Sequence, residues 1–62
     1  MDQEEIRKRL NGYIQETSIS AKRIASDCKI PEYTLSKYRH NKIDLYEKSL
    51  QVLSDYLQQH NA

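Results

Sequence analysis

Apolar positions recur along this chain at helical rather than strand spacing. In "DQEEIRKRLNGYIQE", Ile6, Leu10, Tyr13 and Ile14 fall at i, i+4, i+7 and i+8, one stripe of a first helix. Asp2 and Glu5 open it as D-x-x-E, a variant of the capping box. Asn11-Gly12 lies inside this segment. That dipeptide is a strong hairpin signal, but its flanks here keep a helical period. The pattern predicts a continuous helix that gives up roughly 1 kcal/mol at Gly12. A break at Asn11-Gly12 is the alternative.

"TSIS" reads as a connector, and Ser20 is a good N-cap for a second helix, "AKRIASDCK". Ile24, Ala25 and Cys28 are its inward positions. The small Ala25 suggests a close helix crossing, and Cys28 reads as a buried thiol acting as a small hydrophobe. Pro31 is expected to end helix two, because the residue before proline is driven out of the helical region. It also suits the first turn of the next helix. Helix three is therefore expected from about Pro31 to His40, followed by Asn41, which tolerates a left-handed C-cap. "KIDLYEKSLQVLSDYLQQHNA" holds helix four, with Asp44 and Glu47 as a second D-x-x-E start. Tyr46, Leu50, Leu53 and Leu57 form one stripe, and Leu45, Ser49, Val52 and Tyr56 form another beside it. Either the whole arc packs inward, or Val52 and Tyr56 stay partly exposed and pair with a second chain. These elements predict an all-α, four-helix domain spanning residues 1–62.

Composition agrees with this pattern. A chain of 62 residues buries only about 60% of its unfolded surface, so its core is thin. One glycine and one proline argue against a sheet protein with many tight turns. The single cysteine excludes an internal disulfide and suits a reducing cytosol. No apolar run approaches the roughly 20 residues of a membrane helix. "MDQEEIRKRL" lacks the apolar region of an export signal. A cytoplasmic protein with no membrane association is expected.

Charge changes the picture more. The net charge is +1, but it is unevenly spread. Residues 20–42 carry Lys22, Arg23, Lys29, Lys37, Arg39 and Lys42 against Asp27 and Glu32, six against two, a net +4. Residues 1–19 sum to −1 and residues 43–62 to −2. A positive central segment between mildly acidic flanks is the footprint to which a polyanion responds. A chance excess of lysines on solvated helices is the plainer alternative.

Helices two and three are separated by a turn of two or three residues. Ala25, Leu35 and Tyr38 stand at the spacing of a helix-turn-helix, with Ile24, Cys28 and Ile30 as packing residues. "SAKRIASDCKIPEYTLSKYRHNK" resembles the lambda repressor–Cro family, the xenobiotic-response-element type. It has the capping Ser, Ile-Ala, a hydrophobe, the turn, then Thr-hydrophobe-Ser-Lys-aromatic and a polar turn. "LQVLSDYL" resembles the family's next helix, with Leu50, Leu53 and Leu57 as packing leucines, and Leu10, Tyr13 and Ile19 match its upstream apolar positions. The resemblance covers about residues 6–58. "TLSKYRHN" also resembles the recognition helix of lactose-repressor-type headpieces. The lambda repressor–Cro resemblance implies a lambda-repressor-like fold and sequence-specific binding of double-stranded DNA, as in a small phage, plasmid or bacterial transcriptional regulator or repressor. Lys29 stands where the family usually has glycine, Pro31 where it has a serine or threonine cap, and Asn41 near a customary glycine. The chain stops at Ala62, which leaves little room for the family's fifth helix.

Geometry sorts helix three further. At about 100° per residue, Pro31, Leu35, Tyr38 and Lys42 share one side, and Leu35 and Tyr38 make it the core side. Tyr33, Ser36, Lys37 and His40 lie opposite. Recognition helices put their N-terminal residues against base edges in the major groove. Tyr33, Ser36 and Lys37 are the first base-reading candidates, lysine being suited to guanine acceptors. Tyr33 is alternatively semi-buried core. Glu32 either accepts from a cytosine amino group or favours the helix N-terminus through the dipole. His40 completes the face, as a base or phosphate neighbour. Phosphate contacts are expected from Ser20 and Ala21 at the N-terminus of helix two, with Lys22, Arg39, Asn41 and Lys42.

No catalytic set is evident. A single glycine excludes a glycine-rich phosphate loop, and two histidines with one cysteine lack zinc spacing. Neither an enzyme, nor a cofactor, nor a metal, nor a small-molecule ligand is expected. The expected partners are double-stranded DNA and, through helix four, a second copy of the chain. The alternative from another class is a protein-interaction module, a small inhibitor or antirepressor, for which Glu32 and the low net charge speak.

Overall fold

The four predicted segments each form a helix, and the computed structural model describes residues 2–62 of the chain. They are α1 (Gln3–Thr17), α2 (Ala21–Cys28), α3 (Glu32–Arg39) and α4 (Glu47–Gln59). No strand occurs among the described residues. The architecture is all-α, with α1 packed on α3 and α4, and α2 packed on the same two helices. Ile6 and Leu10 of α1, Ile24, Ala25 and Cys28 of α2, and Leu35 and Tyr38 of α3 close one core with Leu50, Leu53 and Leu57 of α4. Ile30 and Leu45 seal it from the connectors, and Tyr13, Ile14, Ile19 and Tyr56 line its edge.

Helix α1 runs unbroken through Asn11-Gly12. Asp2 caps it by accepting from the Glu4 amide at 3.0 Å. The apolar stripe outweighs the turn signal because three-dimensional packing rewards the helical face and no strand occurs among the described residues to pair with a hairpin. Helix α2 begins at the predicted cap, where the Ser20 hydroxyl accepts from the Arg23 amide at 3.1 Å.

Two boundaries differ from the sequence reading. Helix α2 ends at Cys28, one residue short of the predicted "AKRIASDCK", and Lys29 just after it adopts the left-handed conformation with φ 56° and ψ 38°. The Ile30 amide donates to Ala25 at 2.9 Å and the Lys29 amide to Ser26 at 3.2 Å, the paired bonds of a Schellman closure. The left-handed turn is built here with lysine rather than glycine. Pro31 then stands just outside α3, at its N-cap, with no side-chain cap bond. At the other end of α3, Asn41 takes the left-handed position at φ 61°, and the Lys42 amide donates to Lys37 at 2.9 Å.

The start of α4 is the larger correction. Asp44 does not cap it. The helix begins at Glu47 with Tyr46 at the N-cap and no side-chain cap bond. Tyr46 is 89% exposed and so leaves the stripe it was assigned to. Gln3 explains the shift: its amide donates to the Leu45 carbonyl at 2.8 Å and accepts from the Leu45 amide at 3.2 Å. That pairing holds the connector out of the helix, while Asp44 accepts from Arg7 at 2.9 Å.

Candidate functional site

Helix α3 carries the predicted face, so its anchor comes first. Leu35 and Tyr38 are fully buried. Behind them lies Arg7, a buried guanidinium only 5% exposed. Its Nε donates to the Tyr38 carbonyl at 2.7 Å and its Nη2 to the Ile43 carbonyl at 3.0 Å and to Asp44 at 2.9 Å. Its Nη1 donates to Glu4. The guanidinium also lies 4.4 Å from the centroid of the Tyr38 ring. The Tyr38 hydroxyl donates to the Gln3 carbonyl at 2.8 Å, and burial pushes this phenol up to about 12 although Arg7 pulls it down. Arg7 thus ties α1, α3 and the connector before α4 together.

Sequence reasoning gave Arg7 no role beyond its share of the net −1 of residues 1–19. A signal was present: Arg7 sits three residues before Leu10 and seven before Ile14, inside the apolar stripe of α1.

The opposite side of α3 is presented. Tyr33 is 71% exposed, which removes the reading of it as core. Ser36 and Lys37 are half-buried, and Glu32 and His40 are exposed. The Lys37 ammonium lies 4.7 Å from the centroid of the Tyr33 ring, one helical turn back. His40 Nδ1 lies 2.8 Å from the Ser36 carbonyl. A carbonyl only accepts, so Nδ1 holds the proton and Nε2 is the acceptor of the neutral ring. Glu32 occupies the first turn of α3, where the helix dipole favours a carboxylate.

The expected phosphate contacts divide. The backbone amides at Ser20 and Ala21 open α2, and Lys22 is exposed beside them. The Ser20 hydroxyl already accepts from Arg23. Asn41 and Lys42 are exposed just past α3. Arg39 is half-buried, and its Nε donates to Asn11 Oδ1 at 3.1 Å while Asn11 Nδ2 donates to the Arg39 carbonyl at 3.2 Å. That side chain leans on α1 rather than standing free.

On α4, Val52 is 40% exposed. It borders a surface depression of about 320 Å³ lined also by Asp27, Lys29, Lys48 and Ser49. Tyr56 is half-buried. Its ring meets His60 at 4.3 Å and Tyr13 edge-on at 6.3 Å between centroids. Cys28 is buried as expected, and burial followed by the Asp27 charge pushes its thiol up to about 11. Among the described residues no three His, Cys, Asp or Glu side chains gather as a metal set, and no helix is long and apolar enough to cross a membrane. No family model, curated protein or solved structure matches the chain.

Proposed function

We propose that this protein binds double-stranded DNA in a sequence-dependent way, with α2 and α3 acting as a helix-turn-helix and α3 lying in the major groove. The observation that carries the reading is the two-sidedness of α3. Leu35 and Tyr38 hold one side in the core while Tyr33, Ser36, Lys37 and His40 face outward with no aliphatic group among them. The net +4 of residues 20–42 supports it as a polyanion footprint. In this reading the protein is a small transcriptional regulator. Lys22, Asn41 and Lys42 hold phosphates, Arg39 does so from its seat on Asn11, and the amides at Ser20 and Ala21 add the α2 terminus.

The proposed second partner is another copy of the chain, docking through α4. Exposed Val52 is flanked by Asp27 and Asp55 as well as Lys29 and Lys48. A two-fold contact needs a self-complementary patch, and one apolar centre rimmed by both signs of charge meets that need. Half-sites would then lie about 34 Å apart.

Gel shifts with genomic fragments at two salt concentrations test the reading. Affinity should fall steeply with salt, because phosphate contacts release counterions. Binding that is absent, or indifferent to salt, overturns it. Sedimentation of the native protein and Val52→Glu tests the dimer. A second reading, a small inhibitor or antirepressor, has exposed Glu32 on the presented face in its favour. One stoichiometric protein partner that survives nuclease treatment, with no duplex bound, would replace the DNA reading.

A further inference from the structure

Six cations lie in the positive segment, and their contacts separate them. Lys22, Arg23, Lys29 and Lys42 are exposed and have no side-chain ion pair or ring contact among the described residues. Arg39 is held inward by Asn11. Lys37 alone is held on the outward face, 4.7 Å over the ring of Tyr33.

This difference has a chemical consequence. Lysine is a point charge on a flexible stem, and fixing it costs side-chain entropy on binding. Phosphate contacts tolerate a loose cation, because the backbone field is broad and carries no sequence information. Donating to guanine O6 and N7 requires the ammonium at a defined place. Pre-ordering therefore matters for a lysine that reads a base and little for one that neutralises a phosphate.

Resting on the DNA-binding reading above, we infer that Tyr33 is a positioning residue for base recognition: its ring holds the Lys37 ammonium poised toward the acceptor edge of a guanine. Tyr33 then sets specificity through Lys37 rather than by its own hydrogen bond to a base. The ring face is the working part, since its quadrupole attracts the cation, and the hydroxyl is dispensable.

Two measurements test this. In the free protein, proton NMR should show the Lys37 ε-methylene shifted upfield by the ring current. The shift should persist in Tyr33→Phe and vanish in Tyr33→Leu, and its absence in the native protein overturns the inference. The second measurement uses the duplex that the full chain selects from a random pool, together with its single-base variants. Tyr33→Leu should weaken binding about 3-fold, the scale of an exposed cation–π contact. It should lower discrimination against replacement of one guanine by the same factor and leave the salt dependence unchanged. Tyr33→Phe should match the native protein. Equal losses for Phe and Leu, or a Leu loss that persists in a Lys37→Ala background, overturn the inference while DNA binding stands. Failure to select any duplex, with no salt-dependent binding, sinks the DNA reading and the base-reading role with it.

Discussion

Tyr33 and Tyr38 stand five residues apart on α3, and each lies against a cation, yet they have opposite surroundings. Tyr38 is fully buried, with Arg7 4.4 Å from its ring centroid and its hydroxyl bonded to Gln3. Tyr33 is 71% exposed, with Lys37 at 4.7 Å. The choice of cation fits each setting. A buried cation must have every donor satisfied, and the planar fork of arginine reaches two carbonyls and two carboxylates at once. Lysine, a compact and strongly hydrated point charge, suits the half-buried outward position of Lys37. One motif, a cation over a tyrosine, serves as a clamp between elements inside and as a presented group outside.

The comparison breaks most sharply at Arg7. Arg7→Ala removes the donors to the Tyr38 and Ile43 carbonyls and opens a gap under the Tyr38 ring. Its two carboxylate partners are mostly exposed, so they contribute little of the cost. The lost carbonyl bonds and packing should destabilise by about 3 kcal/mol. A domain of this size holds only about 3–9 kcal/mol in total, so chemical denaturation should show a much reduced midpoint or no folded baseline. Arg7→Lys should recover only part of the loss, because one ammonium cannot reach all four acceptors.

Tyr38→Phe comes next. It keeps the ring and deletes the bond to the Gln3 carbonyl, at a cost of about 1 kcal/mol by thermal or denaturant unfolding. It should also change the alkaline limb of the stability curve. The folded Tyr38 phenol lies at about 12, above its ordinary 10. The folded state therefore holds the proton more tightly than the unfolded chain. That contribution is complete below pH 10 and is lost as pH rises to about 12. Tyr38→Phe should flatten this fall relative to the native protein, and an unchanged alkaline limb would show that the Tyr38 proton is not the one held.

These two positions show what was readable from the chain. The four helices and the leucine stripe of α4 were readable because periodicity is a local property of neighbouring residues. The presented face of α3 was readable as the complement of Leu35 and Tyr38. The start of α4 was not, because Gln3 and Arg7 hold Leu45 and Asp44 across about forty residues of chain, and such pairs leave no spacing signature. Asp44 matched a capping motif and was bound elsewhere. Arg39 was assigned to the phosphate contacts, and its tie to Asn11 again crosses between helices.

Gly12→Ala provides a control between the two tyrosines. Gly12 is exposed in the middle of α1, and a Cβ there meets nothing within 4 Å. Alanine should add about 0.5–1 kcal/mol by restricting the unfolded chain. The left-handed positions of the fold fall at Ser18, Lys29, Asn41 and Asn61, so the chain's one glycine is not needed for any of them. Higher stability with unchanged duplex affinity would separate the strength of the clamp from the behaviour of the presented pair. A change in affinity would mean that α1 reaches the binding face.

The smallest stability effect should come from Lys37→Ala, and there the comparison is decided. An exposed cation–π pair on a helix adds no more than about 0.5–1 kcal/mol, and alanine returns part of that through its better helix propensity. The unfolding midpoint should therefore move by less than about 0.5 kcal/mol, several-fold less than for Arg7→Ala. Under the proposed function, the same substitution should cost about 1–3 kcal/mol on the preferred duplex and relax one base preference. A uniform loss on every duplex would move Lys37 to the phosphate contacts. A stability loss as large as that of Tyr38→Phe would make the outer pair a second clamp, and the division between the two faces of α3 would fall.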